Sequence, residues 1–155
     1  MNLRQTIFIS FSVSFCIIQL FTYNHPFAKE IVYSQAIVTT STGEEIPVEV
    51  ADSLKKRSLG LGKRTSLKKG WGMLFVFENR KPHSFWMKDM QFPLDIIWLD
   101  NHRIVHIIHN AKPANSMGEP EVMTSPVPVN FVLEIAAGRA AKLRLKTGQR
   151  MKLKF

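Results

Sequence analysis

Two carboxylates stand where this sequence otherwise places apolar side chains. Asp95 interrupts the run Phe92-Pro93-Leu94-Asp95-Ile96-Ile97-Trp98-Leu99, and Glu134 interrupts Val129-Asn130-Phe131-Val132-Leu133-Glu134-Ile135. A carboxylate inside a buried strand is costly unless it is paired or hydrogen-bonded. Two of them brought together can divide acid and base roles, one with a raised pKa. Asp95 and Glu134 are therefore the catalytic candidates. The same pattern also reads structurally: each carboxylate pairs with a cation such as Arg57 or Lys88, or accepts backbone N–H groups, and fixes a sheet.

A second group suits binding rather than bond-breaking. In Ser84-Phe85-Trp86-Met87-Lys88, strand alternation puts Trp86 and Lys88 on one face and Phe85 and Met87 on the other. An aromatic ring beside a cation makes a platform for a sugar ring or an acidic polymer. A core tryptophan beside a surface lysine is the plainer alternative. Arg57 and Asp89 join Trp86 and Lys88 as ligand-binding candidates. His106 and His109 are three apart, so a strand would turn them to opposite sides. Zinc needs three or four convergent ligands, and the spacing of His83, His102, His106 and His109 supplies none. They read as exposed loop and strand-edge residues, and neither a metal nor a cofactor is expected. There is no Gly-x-Ser-x-Gly elbow and no glycine-rich phosphate loop before a helix. Lys63 to Lys69, KRTSLKK, could touch nucleic acid, but a solvated basic loop explains it as well.

These residues need elements to hold them. Ile31 to Thr39 is β-branched and strand-like, and turn residues 41–45 lead to Ile46-Pro47-Val48-Glu49-Val50. The two predict a hairpin, with Pro47 arguing for an edge strand. Asp52 or Ser53 can cap a short helix from Leu54 to about Leu61, with Leu54, Ser58 and Leu61 toward one face. Gly72 to Phe77 is apolar on both parities, as a strand buried on two faces would be. The segments 92–99 and 103–108 flank Asp100-Asn101-His102 and predict a second hairpin. Residues 111–128, with four prolines, read as a long loop. A strand at 129–135, a short helix at 136–143 and a final strand at 150–155 follow. About seven strands and two short helices, without regular βα alternation, predict a mainly β (α+β) fold. It would be a small, strongly bent antiparallel sheet or barrel-like domain.

Composition narrows the chemistry further. The 155 residues carry 21 Lys and Arg against 12 Asp and Glu, a net charge of +9. A basic surface favours anionic partners, or simply keeps a protein soluble by like charge. The only cysteine is Cys16, which removes disulfides, thiol nucleophiles and cysteine metal sites from the folded part. Cys16 lies in an uncharged apolar run, Thr6 to Tyr23, preceded by Arg4 and followed by Pro26-Phe27-Ala28. That order is a signal peptide, or an uncleaved N-terminal membrane anchor, over residues 1–28. Val13-Ser14-Phe15 lacks the small residues a lipid-modified cysteine prefers. Residues 29–155 are then one β-rich domain, exported to the periplasm or held on the outer face of the cytoplasmic membrane.

Several strings in order carry a family resemblance. They are Arg57 with Gly60-Leu61, Gly72 to Phe77, Phe85-Trp86-Met87-Lys88, Pro93 to Asp100, and Val132 to Ile135 with Gly138. Together, over about residues 46–153, they resemble the family called domain of unknown function 192. The chain departs from that pattern at Gly62, where the family has methionine, at Asp89-Met90, where it has Asn-Thr, and at Gly148-Gln149, where it has Gly-Asp. The resemblance implies a compact β-rich domain, often exported, with no established activity. Two functions remain open. One is an accessory domain of the cell envelope that binds an anionic polymer or an envelope protein, not nucleic acid, and meets the membrane only through an uncleaved N-terminal segment. The other is a small hydrolase or lyase acting on an envelope polymer through Asp95 and Glu134.

Overall fold

In a computed structural model of the chain, nine strands among the described residues form two sheets. The structure describes residues 31–114 and 121–155. The expected N-terminal export segment lies outside the described residues. Strands β1 (Ser34–Thr39) and β2 (Glu45–Ala51) pair antiparallel, as do β5 (Leu94–Asp100) and β6 (Arg103–Ala111). Both hairpins thus form. With β3 (Gly72–Lys81), β8 (Val129–Ala136) and β9 (Lys152–Lys154) they make a seven-stranded sheet in the order β6-β5-β8-β3-β2-β1-β9. The sheet curls into a half-barrel. Its two ends meet through an antiparallel bridge between Arg103 and Arg150, and the Ile104 N–H donates to the Gln149 carbonyl. The expectation of a strongly bent, mainly β fold holds.

Four expectations about the elements need correction. First, nine strands stand among the described residues against about seven expected, and one of them was not foreseen: Val122–Thr124 (β7), inside the expected loop, pairs with β4 (Ser84–Trp86) as a separate two-stranded sheet. Residues 115–120 of that loop lie outside the described residues. Second, β2 is not an edge strand, since it lies between β1 and β3. Pro47 is tolerated because pairing with β3 begins only at Val48, beyond the missing N–H. Third, helix α1 (Leu54–Leu59) buries none of its residues, and Leu54 is 76% exposed. Only Leu61, past the helix end, is buried. Fourth, the second helix, α2, is shorter than expected, Arg139–Lys142.

Every strand pair of the main sheet is antiparallel except β2–β3. A parallel pair needs a crossover, and here residues 52–71, including α1, supply it. Ser53 caps α1 by accepting from the Lys56 N–H, and Gly60 ends it at φ +50. A Cβ at Gly60 would lie 3.2 Å from the Phe75 ring, so glycine serves both the turn and the close approach to β3.

The sheet is buried on both faces. One face packs Val38, Val48, Leu74, Ile97, Leu133 and Ile135 under α2. The other packs Met73, Phe75, Leu94, Ile96, Trp98 and Val132 with Leu61, Met87 and Met123. Two-sided burial explains why β3, β5 and β8 read as continuous apolar runs.

Candidate functional site

The two carboxylates sit on opposite faces. Across the β5–β8 ladder Asp95 is opposite Ile135, and Glu134 is opposite Ile96. Directly opposed residues share a face. Asp95 therefore shares the face of Ile135, and Glu134 shares that of Ile96 and Met73. The sheet separates them, so they cannot divide acid and base roles in one cleft.

Asp95 is fully buried and fully engaged. One carboxylate oxygen accepts from the Ala140 N–H at 2.8 Å, the other from the Asn110 N–H at 2.9 Å. His109 Nδ1 lies 3.9 Å away. Ala140 belongs to α2, so Asp95 ties the short helix and the end of β6 to the sheet. Its partners are backbone amides, not Arg57 or Lys88.

Glu134 is 5% exposed, and its carboxyl has no hydrogen-bond or ionic partner among the described residues. Burial alone pushes its pKa up to about 8. It is thus a neutral acid at pH 7, able to donate a hydrogen bond. The backbone near it is tight: a Cβ at Gly72 would come within 2.7 Å of the Glu134 carbonyl oxygen.

Glu134 lies at the base of a cleft of about 300 Å³, at the low end of the ~300–1,000 Å³ usual for ligand pockets. Its walls include Arg57, Phe77, Phe85, Trp86 and Lys88. The cleft exists because α1 crosses one side and the β4–β7 sheet forms the other. Met87 turns inward and is buried, which aims Trp86 outward at 57% exposure. Lys88 Nζ stands 5.8 Å from the Trp86 ring centroid. Arg57 is half-buried, its Nη1 donating to the Asp52 and Val76 carbonyls at 2.8 and 2.9 Å, with Phe77 beneath its guanidinium. Asp89 borders the adjoining hollow at φ +58, a left-handed conformation that asparagine and aspartate adopt most readily among side-chain-bearing residues. The family's asparagine and this chain's aspartate therefore meet the same backbone need.

The structure thus brings Glu134, Arg57, Trp86 and Lys88 together, places Asp89 next door, and leaves Asp95 out. Sequence reasoning missed the aromatic walls. Their signal was present in Phe75 and Phe77, two residues apart on one face of β3. It also misplaced His83, which is buried, stacks on Phe77 at 3.5 Å between ring centroids, and has its pKa lowered by burial. A larger hollow of about 480 Å³ beside His102 and Arg150 has its buried Thr40 hydroxyl already engaged by Thr42 and the Glu44 N–H. Among the described residues no group of three or more His, Cys, Asp or Glu is placed to hold a metal, and no helix is long and apolar enough to cross a membrane.

Comparison with known families gives one decisive match. The model of the domain of unknown function 192 family, described as an uncharacterized ACR, matches residues 36–153. The chain belongs to this family. Two solved structures resemble this DUF192 domain. One is a candidate transcription regulator from Sinorhizobium meliloti 1021, with 30% identity and a TM-score of 0.70, covering 79% of this chain and 96% of the other. The second is a protein of unknown function from Novosphingobium aromaticivorans DSM 12444, with 30% identity and a TM-score of 0.69, covering 83% and 89%. No curated protein matches the DUF192 chain.

Proposed function

We propose that this domain is an exported accessory domain of the cell envelope, and that its cleft binds an anionic, ring-bearing unit of an envelope polymer. One observation carries the binding reading: the carboxyl of an almost wholly buried residue, without a partner among the described residues, lines a cleft that also holds an exposed tryptophan and two cations. A ring would lie on Trp86, an anionic group would face Lys88 and Arg57, and neutral Glu134 would donate to a ligand oxygen. Export rests on Arg4 and the apolar run to Tyr23.

Tryptophan fluorescence under titration with galacturonic acid tests the site. Saturable quenching that disappears in Trp86→Ala supports it, and an equal response in both proteins sinks it. Competition by duplex DNA would instead favour the regulator role named for the Sinorhizobium protein. Export is read from the mass of the mature chain: a Lys29 N-terminus supports cleavage, and a cytoplasmic full-length chain refutes export.

A second reading, hydrolase or lyase, keeps one favourable observation. Glu134, protonated at neutral pH, can act as a general acid in the same cleft. Release of reducing ends from the bound polymer, lost in Glu134→Gln, would select it.

A further inference from the structure

The cleft is not isolated. On one side it adjoins a hollow of about 240 Å³ bordered by Arg57, Phe77, Glu78, Lys81 and His83, with Arg57 packed on Phe77 as the ridge between them. On the other it adjoins one of about 230 Å³ bordered by Ser58, Gly62, Lys63, Lys88 and Asp89. Arg57 and Phe77 are shared by the first pair of compartments, and Gly62, Trp86 and Lys88 by the second. The three therefore follow one another along α1. Each is at or below the low end of the volume usual for a whole ligand, so each suits one unit of a chain better than a separate molecule.

Four cations line the three compartments: Lys81 and Arg57 beside Glu78, then Lys88 and Lys63 beside Asp89, with Arg57 and Lys88 each bordering the central compartment as well. The central one also holds Glu134, which has no partner among the described residues. Cations in excess favour an anionic chain, while the interspersed carboxylates favour one that also offers hydroxyl donors. A polyphosphate chain lacks such donors along its length, and a polymer of glutamate offers amide N–H donors but no ring. An acidic polysaccharide has both, with a ring for Trp86, the exposed aromatic of the groove.

Gly62 controls the passage between the central and Lys63 compartments. Its φ is outside the left-handed region, so no backbone strain bars a side chain, although a Cβ would press on the Leu59 carbonyl oxygen at 3.0 Å. A longer side chain at this position would stand in the passage beside Lys88 and Asp89.

We infer that the Lys81–Arg57–Glu134–Trp86–Lys63 groove is a three-subsite channel for a carboxylate-bearing oligosaccharide, one sugar unit per compartment. This rests on the proposed binding function, and the test separates the two. Calorimetric titration of the protein with uronic-acid oligomers of one to five units should show affinity rising about tenfold or more from one unit to three, then levelling. Binding that is equal at all lengths overturns the channel while leaving the single-unit site standing. Absence of binding at every length overturns both. Gly62→Met and the double substitution Lys63→Gln/Lys81→Gln, each verified as folded by its thermal melt, should bring the three-unit ligand down about tenfold. Undiminished three-unit affinity in both variants overturns the subsite assignment. An oligoglutamate of equal charge that binds as tightly as the three-unit sugar overturns the saccharide class.

Discussion

Asp95 and Glu134 are the same chemistry handled in two opposite ways. They lie on neighbouring strands, one register step apart, both almost wholly buried. On its face of the sheet Asp95 meets two backbone N–H groups and completes a junction between β5, β6 and α2. On the other face Glu134 meets Met73, Ile96 and an aromatic-walled cleft, and has no partner among the described residues. A buried carboxylate with its partners in place is part of the scaffold. A buried carboxyl without them lowers stability, and its position in a cleft identifies where a ligand can return what the fold withholds.

The contrast can be broken by experiment, beginning with the largest effect. Asp95→Ala removes a charged acceptor from two amides and should destabilise the domain by about 3–5 kcal/mol in urea unfolding. A loss under about 1 kcal/mol would remove Asp95 from the scaffold. Glu134→Gln should act in the opposite direction and with pH. The native acid titrates near 8 and the unfolded one near 4.5, so the native state holds the extra proton between them. Stability of the wild type should therefore be full below about pH 4.5 and fall by about 1.4 kcal/mol per pH unit toward pH 8, then level. The Gln variant should lack that decline, and parallel stability curves for the two proteins would place the perturbed group elsewhere.

Smaller effects sharpen the same comparison. Gly72→Ala brings a Cβ against the Glu134 carbonyl and should cost about 1–3 kcal/mol, measurable as a lower melting temperature. An unchanged melt would mean that β3 and β8 have room to separate. Trp86→Ala should change stability by about 0.5 kcal/mol or less, because the ring is mostly exposed, while removing the fluorescence response to ligand. A large stability loss would make Trp86 a packing residue.

Much of the frame was legible before the structure. Both hairpins follow from apolar segments bounded by turn residues, and the cap at Ser53 from its side chain. The face of each carboxylate was not legible, for a physical reason. Strands buried on both sides carry no polar–apolar alternation, so residues 94–99 and 131–135 give no indication of which way any member points. Trp86 ends the short strand β4 and Met87 after it is buried, while Lys88 lies in the turn beyond, with its Nζ 5.8 Å from the Trp86 ring. Strand β7 escaped because three residues among prolines have no periodic signature. His83 escaped because it lies in the short link between β3 and β4, and its burial depends on Phe77, six residues earlier on β3.

The pairing of β9 with β1 has a consequence in time. Residues 152–154 form ladder contacts with residues 37–39, and Met151 donates to the His102 carbonyl at the point where the curled sheet meets itself. Strand β1 thus lacks one of its two neighbours until residues 152–154 dock on it, and the partners lie 113 to 117 positions apart in sequence. Closing the seam therefore waits on a distant encounter, and contacts of such long range form slowly because the entropy of bringing the ends together is lost before the pairing rewards it.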